Sequence, residues 1–165
     1  MEKDIIKIKP CKKIETFDAE KKKNSWLLEL ISDRDGFTKH IQGQAYLTVA
    51  APGYFKGFHL HALADYFVTC IKGRIQHIIY TSKDSKHEIE MGDGDFKTVF
   101  LPKGFPHGIK NIGEGDAHIL IYRYPSWDPD VNEQLDIKPE EIEREGIWEQ
   151  MGEFIEGFRS NAKNK

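Results

Sequence analysis

Two short stretches carry residue types that can do acid–base or ligand chemistry. The first is Gly53-Tyr54-Phe55-Lys56-Gly57-Phe58-His59-Leu60-His61. It reads as a strand, and side chains alternate across a strand, so His59 and His61 share one face while Phe58 and Leu60 take the other. The second is Pro102-Lys103-Gly104-Phe105-Pro106-His107-Gly108-Ile109-Lys110-Asn111. Imidazoles titrate near neutrality, so a group of three can abstract a proton, polarise a carbonyl or ligate Zn, Fe, Mn or Ni. Lys56 adds a cation beside them. Tyr66, Tyr122 and Tyr124 are candidate acids, and Arg74, Arg123 and Lys110 are basic groups that can meet a phosphate.

The elements that must position these residues follow from the turns. Gln44–Ala50, Tyr66–Ile71, Arg74–Tyr80, His87–Glu90, Thr98–Leu101 and Ala117–Tyr124 each read as a strand bounded by Gly, Asp or Pro. Residues 25–31 fit helix or strand, and their brevity before Asp33-Arg34-Asp35-Gly36 favours strand. Ile5, Ile6 and Ile8 suggest an edge strand. Many short strands between tight turns predict an all-β sandwich or barrel, not a parallel sheet with crossover helices. After Pro125 the character changes. Pro139, Glu140 and Glu141 suit the first turn of a helix whose apolar face is Ile142, Ile147, Trp148, Met151, Phe154, Ile155 and Phe158. That helix is expected to cover the barrel or a neighbouring subunit. The organisation read from the sequence is therefore an N-terminal strand and turn over 1–24, a barrel over 25–130 and a helical extension over 131–165.

The 165 residues suit one domain, and a formal net charge of −3 gives no support to a nucleic-acid partner or an anionic membrane surface. No apolar run approaches the roughly 20 residues that span a bilayer, and the N-terminus has no signal-peptide pattern, so a cytoplasmic protein is expected. Cys70 lies in an apolar strand and Cys11 far from it, so reduced thiols are the simpler reading.

The spacing Gly53-x5-His59-x-His61 matches the first cupin motif, and Pro102-x-Gly104-x-x-His107-x-x-x-Asn111 matches the second. The chain thus resembles the cupin superfamily over about residues 25–130. This implies a jelly-roll β-barrel, followed here by a C-terminal helix, with both motifs on one pocket. Lys56-Gly57-Phe58-His59 and Phe100-Leu101-Pro102-Lys103-Gly104-Phe105-Pro106-His107-Gly108 resemble segments of the dTDP-4-dehydrorhamnose 3,5-epimerase family. The chain also resembles related sugar-nucleotide cupins of polysaccharide biosynthesis.

The resemblance implies a 3- and/or 5-epimerase of a dTDP-4-keto-6-deoxy sugar or a similar 4-keto nucleotide sugar, working without a cofactor. Alternatives are a sugar 3,4-ketoisomerase, a metal-dependent oxygenase or isomerase with His59, His61 and His107 as ligands of a divalent metal, and a non-catalytic sugar-binding cupin. In the first reading His59 is the base, Lys56 meets the enolate or the phosphate, and His107 and His61 orient or polarise, with Tyr66 as a candidate acid. His61, Arg74, Lys110, Tyr122, Arg123 and Tyr124 would contact substrate. Arg123 faces either the pocket or an apolar wall, and the cost of burying an unpaired guanidinium favours the pocket.

Departures from the family are specific. Lys56 stands where the family has arginine, and Tyr66 where it has a lysine or the metal cupins have glutamate. The family's catalytic tyrosine falls near Ser126 or Trp127. Asp65 is one residue off the glutamate register. No aspartate is matched to the one that pairs with the base histidine. His40, His77, His87 and His118 are expected to be surface residues or satisfied strand residues. A homodimer is expected from the resemblance.

Overall fold

The computed structural model describes residues 12–18, 20–35 and 42–162. The expected strand at Ile5–Ile8, Cys11 and His40 lie outside the described residues. Eleven strands and one helix follow in order: β1 Lys12–Phe17, β2 Lys23–Ser32, β3 Gln44–Ala50, β4 Phe55–His61, β5 Asp65–Lys72, β6 Arg74–Ser82, β7 Ser85–Gly92, β8 Thr98–Leu101, β9 His107–Asn111, β10 Ala117–Tyr124, β11 Gln134–Asp136 and α1 Glu145–Ala162. They form a six-stranded sheet ordered β1-β2-β3-β10-β5-β8 and a five-stranded sheet ordered β11-β4-β9-β6-β7. The two sheets make a jelly roll and are not closed into one continuous barrel. The ambiguous segment 25–31 is strand, because β2 pairs with both β1 and β3.

Alternation decides what each sheet buries. On β10, Ile119, Ile121 and Arg123 point inward, whereas Tyr122 and Tyr124 point out and are exposed. The inward positions of one end are apolar. Val68, Cys70, Ile75, Ile79, Met91, Leu101 and Ile119 pack there as a dry core. Asn111 closes that end. Its Nδ2 donates to the carbonyls of Ala50 and Gly115, each at 2.8 Å, and its Oδ1 accepts from Gly113 N at 2.9 Å. The Asn of the second motif thus serves a turn.

The outer face of the five-stranded sheet carries a second cluster. Phe58, Leu60, Ile78 and Tyr80 meet Ile137, Ile142 and Met151, with Trp148 and Ile155 against them. The C-terminal segment therefore covers the jelly roll itself. The helix starts later than the sequence predicts. Residues 134–136 are a strand, and 138–147 run through successive i→i−3 turns. The ladder continues past β11 through the reciprocal Phe58–Ile137 hydrogen bonds, and the Trp148 indole donates to Ile142 O at 3.0 Å. Burying Ile137 and Ile142 in this way outweighs the local preference for a helical first turn. Sheet structure consequently runs beyond residue 130. No helix among the described residues is long and apolar enough to cross a membrane.

On the outside of the six-stranded sheet, Phe67 stacks near Phe100 at 5.0 Å and Tyr122 at 6.0 Å, and all three are exposed.

Gly57 is where β4 bends. Its φ is +118°, and an added Cβ would lie 2.7 Å from His107 O and 2.8 Å from Gly108 Cα, both backbone atoms. The β4–β9 register slips between Gly57 and His59, a bulge. Gly57→Ala is expected to cost more than about 2 kcal/mol, measured by urea unfolding, because neither the backbone angle nor the neighbouring strand can yield. Gly108 lies within β9. It is kept small by Phe55, whose ring would be 2.2 Å from an added Cβ.

Candidate active site

Between the sheets, at the end opposite the dry core, lies a cavity of about 440 Å³. That is within the range of small-molecule sites. β4 and β9 of one sheet supply Lys56, His59, His61 and His107. The facing β3, β5 and β10 supply Tyr46, Tyr66 and Arg123, while β1 and Trp127 border the opening. Simple alternation would put Lys56 on the opposite face from His59. The bulge at Gly57 adds one residue, so both enter the cavity. A second concavity of about 480 Å³ holds no imidazole and is lined by Asp18, Glu20 and Glu140 among others.

The three expected histidines do converge. Ring centroids are 6.3 Å apart for His59–His61, 6.4 Å for His59–His107 and 6.0 Å for His61–His107. Each has a different partner behind it. β11 pairs with β4 so that Asp136 stands opposite His59 and Gln134 opposite His61. His59 Nδ1 lies 2.8 Å from Asp136 Oδ1, and Gln134 Nε2 donates to the same oxygen at 2.6 Å. The hydrogen bond to His59 is the main reason the Asp136 carboxyl titrates below its usual range. An ionised carboxylate only accepts, so the proton of this hydrogen bond sits on His59 Nδ1, and in the neutral ring Nε2 is the nitrogen with the lone pair.

His61 is buried against Glu133, with Nδ1 at 3.1 Å from Oε1. Arg123 Nη2 donates to the same oxygen at 2.8 Å, and Leu63 N donates to Oε2 at 3.2 Å. Burial by itself would raise the Glu133 pKa. The hydrogen bond and charge of His61, the Arg123 guanidinium and the Leu63 amide overcome it and bring the carboxyl down to about 2. Burial holds His61 below the ordinary imidazole value despite that carboxylate.

Tyr66 is buried with its hydroxyl 3.2 Å from His61 Nδ1. Arg123 sits 5.4 Å over the Tyr66 ring. Burial and the neighbouring Tyr46 push the Tyr66 phenol well above its normal pKa. Tyr46, also desolvated, is pushed up to about 12. Both are hydrogen-bond donors at neutral pH.

Lys56 is 8% exposed, and its ammonium donates to Thr16 Oγ1 at 2.8 Å. Burial pushes it down to about 8. Its folded-state pKa lies below the unfolded value near 10.5, so the unfolded chain binds the extra proton and stability rises with pH between about 8 and 10.5. At pH 7 the desolvated charge costs about 3 kcal/mol. Lys56→Met is therefore expected to be more stable than the parent by about 1–3 kcal/mol at pH 7, with the gap closing as unfolding is repeated toward pH 10.

Several expected contacts are not here. Arg74 is exposed at the far end of β6 and pairs with Glu90 at 2.9 Å. Lys110 is on the outer side of β9, since His107, Ile109 and Asn111 take the inner one. Tyr122 and Tyr124 point out, as the inward turn of Arg123 on the same strand requires, and the Tyr122 hydroxyl donates to Gln42 O. Asp65 accepts from Lys103 N at 2.9 Å and braces the turn before β9. The position of the family's tyrosine does reach the opening, but as Trp127, whose ring offers no acid. His77, expected to be superficial or satisfied, is fully buried. Its Nε2 is 3.0 Å from His107 Nδ1, and its own Nδ1 has no partner among the described residues. Glu133, Gln134 and Asp136 were not read from the sequence. Their signal was the polar–apolar alternation of Gln134-Leu135-Asp136-Ile137, hidden by its shortness and by the acidic helix start that follows.

The histidines do not fit a metal centre as they stand. Imidazoles on one ion at about 2.1 Å would have centroids about 5 Å apart, closer than here. Among the described residues no three His, Cys, Asp or Glu side chains form a group that could hold an ion.

Comparison with known proteins adds four findings. The family described as polysaccharide biosynthesis C-terminal domain matches residues 32–135. The spore coat polysaccharide biosynthesis protein SpsL of Bacillus subtilis is 32% identical over 108 residues, covering 62% of this chain and 71% of that protein. Among solved structures, the capsular polysaccharide assembling protein CapF of Staphylococcus aureus superposes with a TM-score of 0.64 at 20% identity over 78% of this chain. The chain spans only 34% of the length of CapF. NovW, a 4-keto-6-deoxy sugar epimerase of Streptomyces spheroides, superposes with a TM-score of 0.52 at 16% identity, over 83% of this chain and 79% of its own. These structural likenesses establish the cupin jelly roll as the fold.

Proposed function

The chain belongs to the polysaccharide biosynthesis C-terminal domain family, and from that premise we propose that it is an epimerase of a 4-keto nucleotide sugar. The observation that carries the reading is the Asp136–His59 pair beside a desolvated Lys56 and two further imidazoles in one cavity. The named activity of NovW, a protein of the same fold, supports it.

In this reading the sugar ring enters the cavity with its ketone toward Lys56. Asp136 holds the His59 Nδ1–H, and the lone pair on Nε2 removes the proton from the carbon beside the ketone. The C–H electrons form the enolate C=C bond, and the carbonyl oxygen becomes negative. The Lys56 ammonium, poorly solvated by water, stabilises that oxygen more than it would in solution. Reprotonation of the same carbon from the other face gives the epimer, and Tyr66 is the donor that lines the cavity there. Arg123, committed to Glu133, orients rather than reacts. The diphosphate would lie outside, since Lys56 and Arg123 are the only cations among the described residues that line the cavity.

The test is incubation with dTDP-4-keto-6-deoxyglucose in deuterium oxide. NMR should show deuterium at C3 or C5 and an inverted centre. Exchange with migration of the ketone would make it a ketoisomerase. Binding without any exchange would leave a sugar-binding cupin.

A further inference from the structure

His77 and His107 form a buried imidazole–imidazole hydrogen bond that the reaction above does not use. His77 Nε2 and His107 Nδ1 are 3.0 Å apart, with ring centroids at 5.2 Å. His77 is inward-facing on β6, cross-strand from Ile109, and belongs to the dry side of the jelly roll. It does not line the cavity, whereas His107 does. The two outer nitrogens of the pair, His77 Nδ1 and His107 Nε2, are both buried and have no hydrogen-bond partner among the described residues. The nitrogens of one imidazole point nearly opposite ways. Turning His107 Nδ1 toward His77 therefore turns Nε2 toward the side where the rings of His59, His61 and Tyr66 stand 6.4, 6.0 and 5.9 Å away.

One proton lies between the two rings, and its position sets what His107 shows the cavity. If His107 donates, His77 must keep an N–H on Nδ1, an orphaned donor in apolar surroundings. If His77 donates, only a bare lone pair is left in the core, and His107 carries its proton on Nε2. Either arrangement leaves one N–H without a protein partner; on His77 it would be sealed in the apolar core, whereas on His107 it belongs to a side chain that lines the cavity, where a ligand oxygen can meet it. His107 does not escape the choice by taking a second proton. Burial and the surrounding imidazoles of His77, His61 and His59 hold it well below the usual imidazole pKa.

We propose that His77 is a positioning residue: by donating its Nε2–H to His107 Nδ1 it holds His107 as the neutral tautomer whose Nε2–H faces the cavity, ready to bind an oxygen that gains negative charge. The three cavity imidazoles then divide their work. His59 and His61, backed by carboxylates, show lone pairs, and His107, backed by an imidazole, shows a donor. The assignment of that oxygen to an enolate rests on the epimerase reading, whereas the tautomer does not. A neutral donor suits the task, because it stabilises the developing charge without protonating the enolate oxygen irreversibly.

The experiment is nitrogen-15 NMR of the full chain with labelled histidine, His107 being assigned by the signals lost in His107→Gln. The expected result is a protonated, pyrrole-type Nε2 and a pyridine-type Nδ1. In His77→Leu the His107 tautomers should mix. In His77→Gln, whose amide can donate in place of the ring, the parent pattern should return. With dTDP-4-keto-6-deoxyglucose, kcat should fall about 10- to 100-fold in His77→Leu, with KM within about twofold, and recover in His77→Gln. A pyridine-type Nε2 in the parent protein overturns the proposal, and this needs no variant to fold. An unchanged tautomer or unchanged kcat in His77→Leu overturns it as well. The expected tautomer without exchange of any ketose proton would retire the epimerase reading and uphold the role of His77. Exchange at full rate with a pyridine-type Nε2 would do the reverse.

Discussion

His59→Asn is expected to lower deuterium incorporation into dTDP-4-keto-6-deoxyglucose by about 10²–10⁴-fold while leaving thermal unfolding nearly unchanged. The ring is partly exposed and its one strong bond is to a half-exposed carboxylate, so little packing is lost. Among the described residues, His59 is the only imidazole that combines access to the cavity with a partly solvated carboxylate partner. Asp136→Asn is the sharper variant. The amide keeps the shape but can point an N–H at His59 Nδ1, which would move the ring proton to Nε2 and hide the base. Its activity should approach that of His59→Asn. If either variant keeps exchange within tenfold of the parent, the base is another residue, and the assignment of His59 is wrong.

Glu133→Ala should be the most destabilising single change at the site. Its carboxylate is 4% exposed and satisfies His61, Arg123 and the Leu63 amide at once. Removing it strands the Arg123 guanidinium, itself 4% exposed, and that costs about 3–5 kcal/mol. For a chain of this length the melting temperature should drop by roughly 6–20 °C. The acid limb carries a second signature. Glu133 titrates at about 2 in the folded protein against a reference of 4.5. Its contribution, about 3 kcal/mol, is therefore fully present above pH 4.5 and lost as pH falls toward 2. The stability difference between the parent and Glu133→Gln should shrink over that window. A Glu133→Ala protein within about 1 kcal/mol of the parent would show that water replaces the carboxylate and that the network is not closed.

The variants differ in kind because the cavity is built from groups with opposite demands. Glu133 and Arg123 satisfy each other and hold the sheets in register. Lys56 is kept partly desolvated at a cost to stability, a cost expected where binding a negative oxygen is the return. Lys56→Met should accordingly gain stability and lose activity together.

Local pattern was enough to read the strands and the shared face of His59 and His61, because strand period and turn residues are properties of neighbours in the chain, whereas the convergence of His107 with them was implied by the resemblance to the two cupin motifs. The local pattern also held two facts that were not drawn from it. Alternation along β9 already excludes Lys110 once His107 faces inward, and alternation along β10 excludes Tyr122 and Tyr124 once Arg123 does. Contacts between distant strands decided the rest. Asp136 reaches His59 across 77 residues and Glu133 reaches His61 across 72, through an edge strand of three residues too short to announce itself. Lys56 joins His59 only because a bulge shifts the phase of β4, and His77 lies beneath His107 only through the β6–β9 register. Periodicity fixes which face a side chain takes. Which end of the sandwich it occupies, and which charge waits opposite, depends on registers between strands far apart in sequence, and those are set by packing of the whole molecule.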